Sequence, residues 1–142
     1  MAKAQVGKPY VWGATGPYSF DCSGLTSYVY SLALGKYITR TTYTQVHQGK
    51  TVAVSTATLK KGDLLFWGSK SSPYHVGIYV GGGKFVHAAT PSQGVIKQSL
   101  SYYFWPSTAN VDLIEKYPLY IGRQLASFFF CLLLLKNNCI FL

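Results

Sequence analysis

Cysteine and acidic residues are scarce in this chain of 142 residues, and both shortages exclude classes of protein. The only cysteines are Cys22, Cys131 and Cys139, with no CxxC pair and no spaced Cys/His set. The sequence therefore predicts neither a disulfide framework nor a structural zinc site. With 13 Lys and Arg against 4 Asp and Glu, the net charge is +9, which favours an anionic partner such as nucleic acid, a membrane surface or an acidic wall polymer. Because the basic residues form no run, we predict that the partner is not nucleic acid.

The sequence also predicts neither a secretory leader nor a membrane span. Met1 to Gln5 show neither the basic start nor the apolar stretch of a signal peptide, and we expect a domain excised from a longer protein. An apolar run covers residues 126–135, but a helix needs about 20 such residues to cross a bilayer, so we predict no stable membrane span. The tail 126–142 has three open interpretations: a final buried strand, an interfacial anchor, or sequence foreign to the domain, which we favour.

Helix signals come first along the chain, and strand signals follow. Residues 22–34 predict the main helix, for which Asp21 is a suitable N-cap and Gly35 a suitable end. A short helix is predicted at 43–48. Strands are predicted at 64–67, 75–80, 84–88, 95–98 and 117–125. A helix followed by antiparallel strands indicates an α+β fold, and we assign residues 1–125 to one domain.

Cys22 lies within the tetrapeptide Asp21-Cys22-Ser23-Gly24, directly at the predicted start of the main helix. Unpaired backbone N–H groups and the positive end of the helix dipole stabilise a thiolate there, so the sequence predicts an activated nucleophile with a lowered pKa. The alternative for Cys22 is a buried structural thiol, since free cysteine is among the most buried residue types. Asp21 is interpreted as an N-cap, and contact with a substrate is a compatible second role.

Two histidines far downstream supply the base that such a nucleophile needs. His75 and His87 lie twelve residues apart, and the glycines at 81–83 between them predict a tight hairpin turn. Because the interval is even, both side chains are expected on one face of the hairpin. One imidazole would take the proton of Cys22 while the other orients it, as the third member of a triad does. His47 lies near a predicted helix end and is assigned no catalytic role.

Six stretches of the sequence resemble, in the same order, the motifs of the NlpC family of cell-wall peptidases. They are GKPYVWG at 7–13, FDCSGL at 20–25, LKKGDL at 59–64, HVGIYVG at 75–81, FVHA at 85–88 and YIGR at 120–123. The resemblance covers about residues 1–125. It departs from the family pattern at Ala14, where a second glycine is common, and in the tail from about Ala126, which has no counterpart.

The resemblance implies a papain-like α+β fold in which an N-terminal helix carrying the nucleophile packs on an antiparallel β-sheet. It also implies a peptidoglycan endopeptidase that cleaves the stem peptide, typically between γ-D-glutamate and a diamino acid, without a metal or another cofactor. Such an enzyme acts outside the cell or at the cell wall, and we expect a monomer. By the same resemblance the roles are nucleophile for Cys22, base for His75, orientation for His87, oxyanion support for Tyr10, and stem-peptide contact for Asp21 and Ser23.

Two other functions fit the same sequence. A non-catalytic wall-binding module would use the basic charge and exposed tyrosines to hold the glycan. A cysteine amidase or acyltransferase would pass the thioester to a different acceptor. The sequence also leaves open whether the diamino acid is lysine or meso-diaminopimelate, whether the substrate needs a free N-terminal L-alanine, and whether the parent protein is an autolysin or a phage lysin.

Overall fold

The computed structural model describes residues 1–111 and 113. Its helices are a short 3-10 helix at Ala2–Gln5, α1 at Cys22–Leu34 and α2 at Thr42–Gln45. Its strands are β1 at Lys50–Val52, β2 at Leu64–Ser69, β3 at Ser72–Gly81, β4 at Lys84–Thr90, β5 at Gly94–Ser99 and β6 at Thr108–Val111. Within this part of the chain the strands form one antiparallel sheet of six, in the order β1-β6-β2-β3-β4-β5.

Helix α1 begins and ends at the residues that local chemistry selects. The Asp21 carboxylate accepts a hydrogen bond from the Gly24 backbone N–H at 2.7 Å, which satisfies one of the donors that a helix start leaves unpaired. At the other end Gly35 takes the left-handed conformation with φ at 60°, which glycine adopts without a side-chain clash. The helix therefore has the bounds that the sequence predicts.

The sheet buries side chains on both faces because residues along its central strands alternate between two clusters. Leu64 and Val76 belong to the larger core cluster, which includes the buried side of α1. Leu65 and Trp67 belong to a second cluster on the opposite face. His75 is the cross-strand partner of Trp67, so the imidazole lies on the face that is turned away from α1.

The α+β class and the order of helix before strands are confirmed. β2 to β5 match the predicted segments but are longer, and β3 begins at Ser72, three residues before its predicted start. The sequence prediction lacks β1 and β6, which pair with each other at one side of the sheet. The strand predicted at 117–125 and the tail 126–142 lie outside the described residues. Among the described residues, none of the helices has the length and apolar character of a membrane-spanning segment.

Candidate active site

Cys22 is the first residue of α1, and the loop before the helix holds it in place. The Asp21 backbone N–H donates to the Ala14 carbonyl at 3.0 Å. Gly24 permits this approach of loop and helix, because a Cβ at that position would lie 2.1 Å from the Ala14 oxygen. The Cys22 side chain is thereby fixed at the helix start as a half-buried free thiol.

His75 and His87 come together on neighbouring strands. The distance between His75 Nε2 and His87 Nδ1 is 2.7 Å, within hydrogen-bond range. The β3–β4 register pairs Ile78 with Val86, and its continuation by one residue sets His87 opposite Gly77, so the two histidines are diagonal neighbours. Gly77 leaves room for this approach, because a Cβ there would meet His87 Cβ at 3.3 Å. The expectation that the even interval puts both rings on one face is confirmed.

Gln98 on β5 extends the histidine pair to a third strand. Its Oε1 atom lies 3.0 Å from His87 Nε2. The β4–β5 register pairs His87 with Ile96, so Gln98 is again a diagonal neighbour. Sequence analysis missed this residue, because a strand at 95–98 does not reveal which of its side chains meets His87. The polar side chain of Gln98 identifies it as a partner of His87 only when the register of β4 and β5 is known.

Aromatic side chains pack around the histidine pair and shield it from water. The Trp67 ring centroid lies 5.3 Å from that of His75 and 6.4 Å from that of His87, and Phe104 stacks on Trp67 at 4.7 Å. Burial lowers the pKa of His75 to about 3 and the pKa of His87 to about 4, because a charged imidazole is poorly solvated there. His87 lowers the pKa of His75 further, whereas the hydrogen bond with Gln98 raises the pKa of His87. Both rings are therefore neutral at physiological pH.

Burial also raises the pKa of the Cys22 thiol, and the negative charge of Asp21 raises it further. Hydrogen bonds from the backbone N–H groups of Val76, Ser23 and Cys22 itself act in the opposite direction without overcoming burial. The expectation of a lowered pKa at the helix start is thus wrong for the resting thiol, because desolvation outweighs the helix end. A thiolate forms most readily by proton transfer to a nearby base, which creates two opposite charges together instead of one alone.

The thiol and both imidazoles line one cavity of about 470 Å³. Tyr10 lines it too, and burial together with the charges of Cys22 and Asp21 raises the pKa of its phenol, which stays a proton donor at neutral pH. The cavity therefore brings together the three predicted catalytic side chains and the predicted oxyanion support. No group of three or more His, Cys, Asp or Glu placed to hold a metal ion occurs among residues 1–111 and 113. The remaining lining side chains carry no formal charge: Trp12, Tyr74, Ala89, Thr90, Gln93, Gln98 and Phe104.

Asp21 and Ser23 are buried beside the cavity and are not among the residues that line it. Asp21 accepts hydrogen bonds from the backbone N–H groups of Gly13 and Gly24 and forms an ion pair with Arg40 at 2.5 Å. Arg40 also donates to the Ser23 hydroxyl at 2.9 Å. The N-cap role of Asp21 is confirmed, whereas the contact of either residue with a stem peptide stays a prediction. Sequence analysis missed Arg40, which lies outside every predicted helix and strand.

Comparison with known proteins shows which family this chain resembles. The sequence profile of the NlpC/P60 family matches residues 7–112, a segment that contains Cys22, His75, His87 and Tyr10. The chain belongs to the NlpC/P60 family. The resemblance seen in the sequence motifs is thereby confirmed, and the boundary of the domain at residue 125 stays a prediction.

Three curated relatives of this NlpC/P60 chain illustrate the similarity, and all three are bacterial proteins. It is 47% identical over 98 residues to protein P54 of Enterococcus faecium, covering 69% of this chain and 19% of the relative. It is 48% identical over 101 residues to a probable endopeptidase of Corynebacterium glutamicum, with coverage of 71% and 46%. It is 38% identical over 104 residues to the murein DD-endopeptidase MepH of Escherichia coli, with coverage of 71% and 38%. The chain thus spans less than half the length of these relatives.

Solved structures of NlpC/P60 proteins share the fold. The NlpC/p60 domain of the peptidoglycan hydrolase SagA superposes with a TM-score of 0.71 at 44% identity, covering 77% of this chain and 91% of that one. The peptidoglycan hydrolase RipB of Mycobacterium tuberculosis gives a TM-score of 0.65 at 29% identity, with coverage of 77% and 59%. The predicted papain-like α+β fold is therefore confirmed.

Proposed function

We propose that this NlpC/P60 chain is a cysteine endopeptidase that cleaves the stem peptide of bacterial peptidoglycan. The observation that carries the proposal is one cavity lined by both the Cys22 thiol and the hydrogen-bonded pair of His75 and His87. The relatives support it, because they include a probable endopeptidase, a murein endopeptidase and the domain of a peptidoglycan hydrolase.

The reaction begins when His75 takes the proton of Cys22. The thiolate attacks the amide carbon, and the resulting oxyanion accepts hydrogen bonds from the Cys22 backbone N–H and the Tyr10 hydroxyl. The His75 imidazolium then gives its proton to the departing amine, which leaves a thioester on Cys22. Water, deprotonated by His75, hydrolyses the thioester, and the returned proton restores the thiol.

Burial of the histidine pair determines the protonation state of His75 before the reaction starts. A pKa of about 3 means that His75 takes no proton from neutral solvent, so the imidazole stays free to act as a base. It becomes protonated when Cys22 supplies the proton, because the thiolate left behind compensates the new charge. The resulting imidazolium is a strong acid in this buried site, and it readily protonates the leaving amine.

The bond that we assign joins the γ-carboxyl of D-glutamate to the diamino acid. A DD bond is the second candidate, because MepH of Escherichia coli is named as a murein DD-endopeptidase. The net charge of +9 favours adsorption to an anionic wall. Since peptidoglycan lies outside the cytoplasmic membrane, we place the action of the domain at the cell wall, in a secreted protein, with the domain acting as a monomer.

Digestion of defined muropeptides followed by mass spectrometry tests this proposal. We expect the wild-type chain to split the stem peptide and to expose a new amino group on the diamino acid, in the lysine type, the diaminopimelate type or both. Cys22→Ala should reduce the rate to background, since Cys22 is the only thiol that lines the cavity among the described residues. His47→Ala is the matched control, because that ring is exposed and does not line the cavity.

The products separate the competing functions. Solubilisation of purified wall by Cys22→Ala at the wild-type rate would show that the cysteine mechanism is wrong. Wall binding without cleavage by the wild-type chain would indicate a binding module, and a fragment that carries a transferred acyl group would indicate an acyltransferase. A newly exposed D-alanine carboxyl would assign the activity to the DD bond.

A further inference from the structure

We infer that Gln98 is a positioning residue whose side-chain oxygen fixes which nitrogens of His87 and His75 carry hydrogen. The inference rests on the proposed cysteine endopeptidase function and adds to it a residue that acts through the histidines. Its consequence is that Nδ1 becomes the nitrogen of His75 that is free to accept the Cys22 proton.

Three side chains on three adjacent strands form a continuous hydrogen-bonded row. His75 on β3 contacts His87 on β4 at 2.7 Å, and His87 contacts Gln98 on β5 at 3.0 Å. Each contact uses a different nitrogen of His87, Nδ1 towards His75 and Nε2 towards Gln98. The positions of the hydrogens at one end of the row therefore determine their positions at the other end.

Counting hydrogens along the row gives the protonation of each nitrogen. An amide oxygen only accepts, so the hydrogen between Gln98 and His87 must belong to His87 Nε2. A neutral imidazole carries one hydrogen, which leaves His87 Nδ1 as an acceptor for the Nε2–H of His75. The neutral His75 ring then has a free lone pair on Nδ1. When this atom takes a proton, the other hydrogen bonds in the row stay as they are.

The opposite tautomer of His87 would disable this arrangement. With its hydrogen on Nδ1, His87 would donate to Nε2 of His75, and His75 would carry its own hydrogen on Nδ1. The ring would then present an N–H to Cys22 where a base is needed. Protonation of His75 would also set two hydrogens against each other between the rings. The Gln98 oxygen selects against this state, because the state removes the donor that the oxygen requires.

Gln98→Met removes the acceptor and keeps the length and flexibility of the side chain. Two-bond ¹H–¹⁵N spectra of the wild-type chain should show His87 as the Nε2–H tautomer, and those of the variant should show a mixture with the Nδ1–H tautomer. In the muropeptide assay kcat should fall about tenfold, which is the change in rate expected from the loss of about one hydrogen bond. KM should stay within about twofold, because methionine is close in size to glutamine and so keeps the shape of the cavity that Gln98 lines.

Gln98→Glu is the rescue variant, because a carboxylate also accepts from His87 Nε2–H. It should retain the wild-type tautomer and most of kcat at neutral pH. The added charge raises the pKa of His87, so the acidic limb of the kcat/KM profile should move to higher pH. Lys97→Met is the matched control on the same strand, because Lys97 is exposed and the alternation of β5 turns it to the other face.

Two results would overturn the inference. One is a Gln98→Met variant with the tautomer of His87 and the value of kcat both unchanged. The other is a Gln98→Glu variant as slow as Gln98→Met, because the acceptor would then be irrelevant. The tautomer is measured without substrate, so a wild-type chain that cleaves no muropeptide would count against the proposed function, and the spectra would still decide the role of Gln98.

Discussion

Acid should destabilise this domain through its two buried histidines. His75 and His87 are 8% and 3% exposed, and burial holds their pKa values in the folded chain at about 3 and about 4, against 6.5 for the free side chain. Between these values and 6.5 the unfolded chain binds more protons than the folded chain. The free energy of unfolding must therefore fall as the pH falls through this window.

The expected size of the effect follows from the same pKa values. At pH 5 each histidine is almost fully protonated in the unfolded chain and almost fully neutral in the folded chain. Relative to pH 7, this difference lowers the free energy of unfolding by about 2 kcal/mol for each histidine, or about 4 kcal/mol for both. Domains are typically stable by about 5–15 kcal/mol, so the loss should be readily measurable.

Urea unfolding followed by tryptophan fluorescence at pH 7 and pH 5 provides the assay. The variants are the double substitution His75→Asn/His87→Asn and the control His47→Asn, whose ring is exposed. Between the two pH values the wild-type chain and the control should lose about 4 kcal/mol more than the double variant. Carboxyl groups titrate in all three proteins, so their contribution cancels in the comparison. Equal pH dependence in the wild-type chain and the double variant would refute the reasoning.

Two further predictions concern the thiol and the loop that supports it. His75→Asn should slow alkylation of Cys22 by iodoacetamide at pH 7 by about tenfold or more, because the raised pKa of the thiol leaves little thiolate when no base is present. The rate is measured on the Cys22 peptide by mass spectrometry. An unchanged rate would mean that the thiolate forms without His75. Gly24→Ala should lower the free energy of unfolding by about 3 kcal/mol in urea titrations, because its Cβ would lie 2.1 Å from the Ala14 oxygen. Ser31→Ala, at an exposed position of the same helix, should change it little, and an equal effect of the two substitutions would contradict the steric argument.

Features with a local cause could be predicted from the sequence. The bounds of α1 depend on Asp21 and Gly35, which act on the backbone beside them. The meeting of His75 and His87 depends on an even interval and a glycine turn within a single hairpin. In each case the residues that determine the structure lie in the same short segment as the structure itself.

Features with a distant cause could not be predicted. β1 is only three residues long, and it forms because Lys50 to Val52 find β6 about sixty positions later. The link between His87 and Gln98 requires the register of β4 and β5, which no single segment specifies. The pKa of Cys22 follows from its burial in the packed fold, and the helix end, which is a local feature, acts more weakly than that burial.

The proposed nucleophile and its proposed base belong to different layers of the molecule. Cys22 is the first residue of α1, whereas His75 belongs to β3 in the sheet against which that helix packs, and Leu25 and Val76 are part of the core cluster between helix and sheet. Any substitution in this core that shifts the helix on the sheet therefore moves the sulfur relative to the imidazole, although neither Cys22 nor His75 has changed.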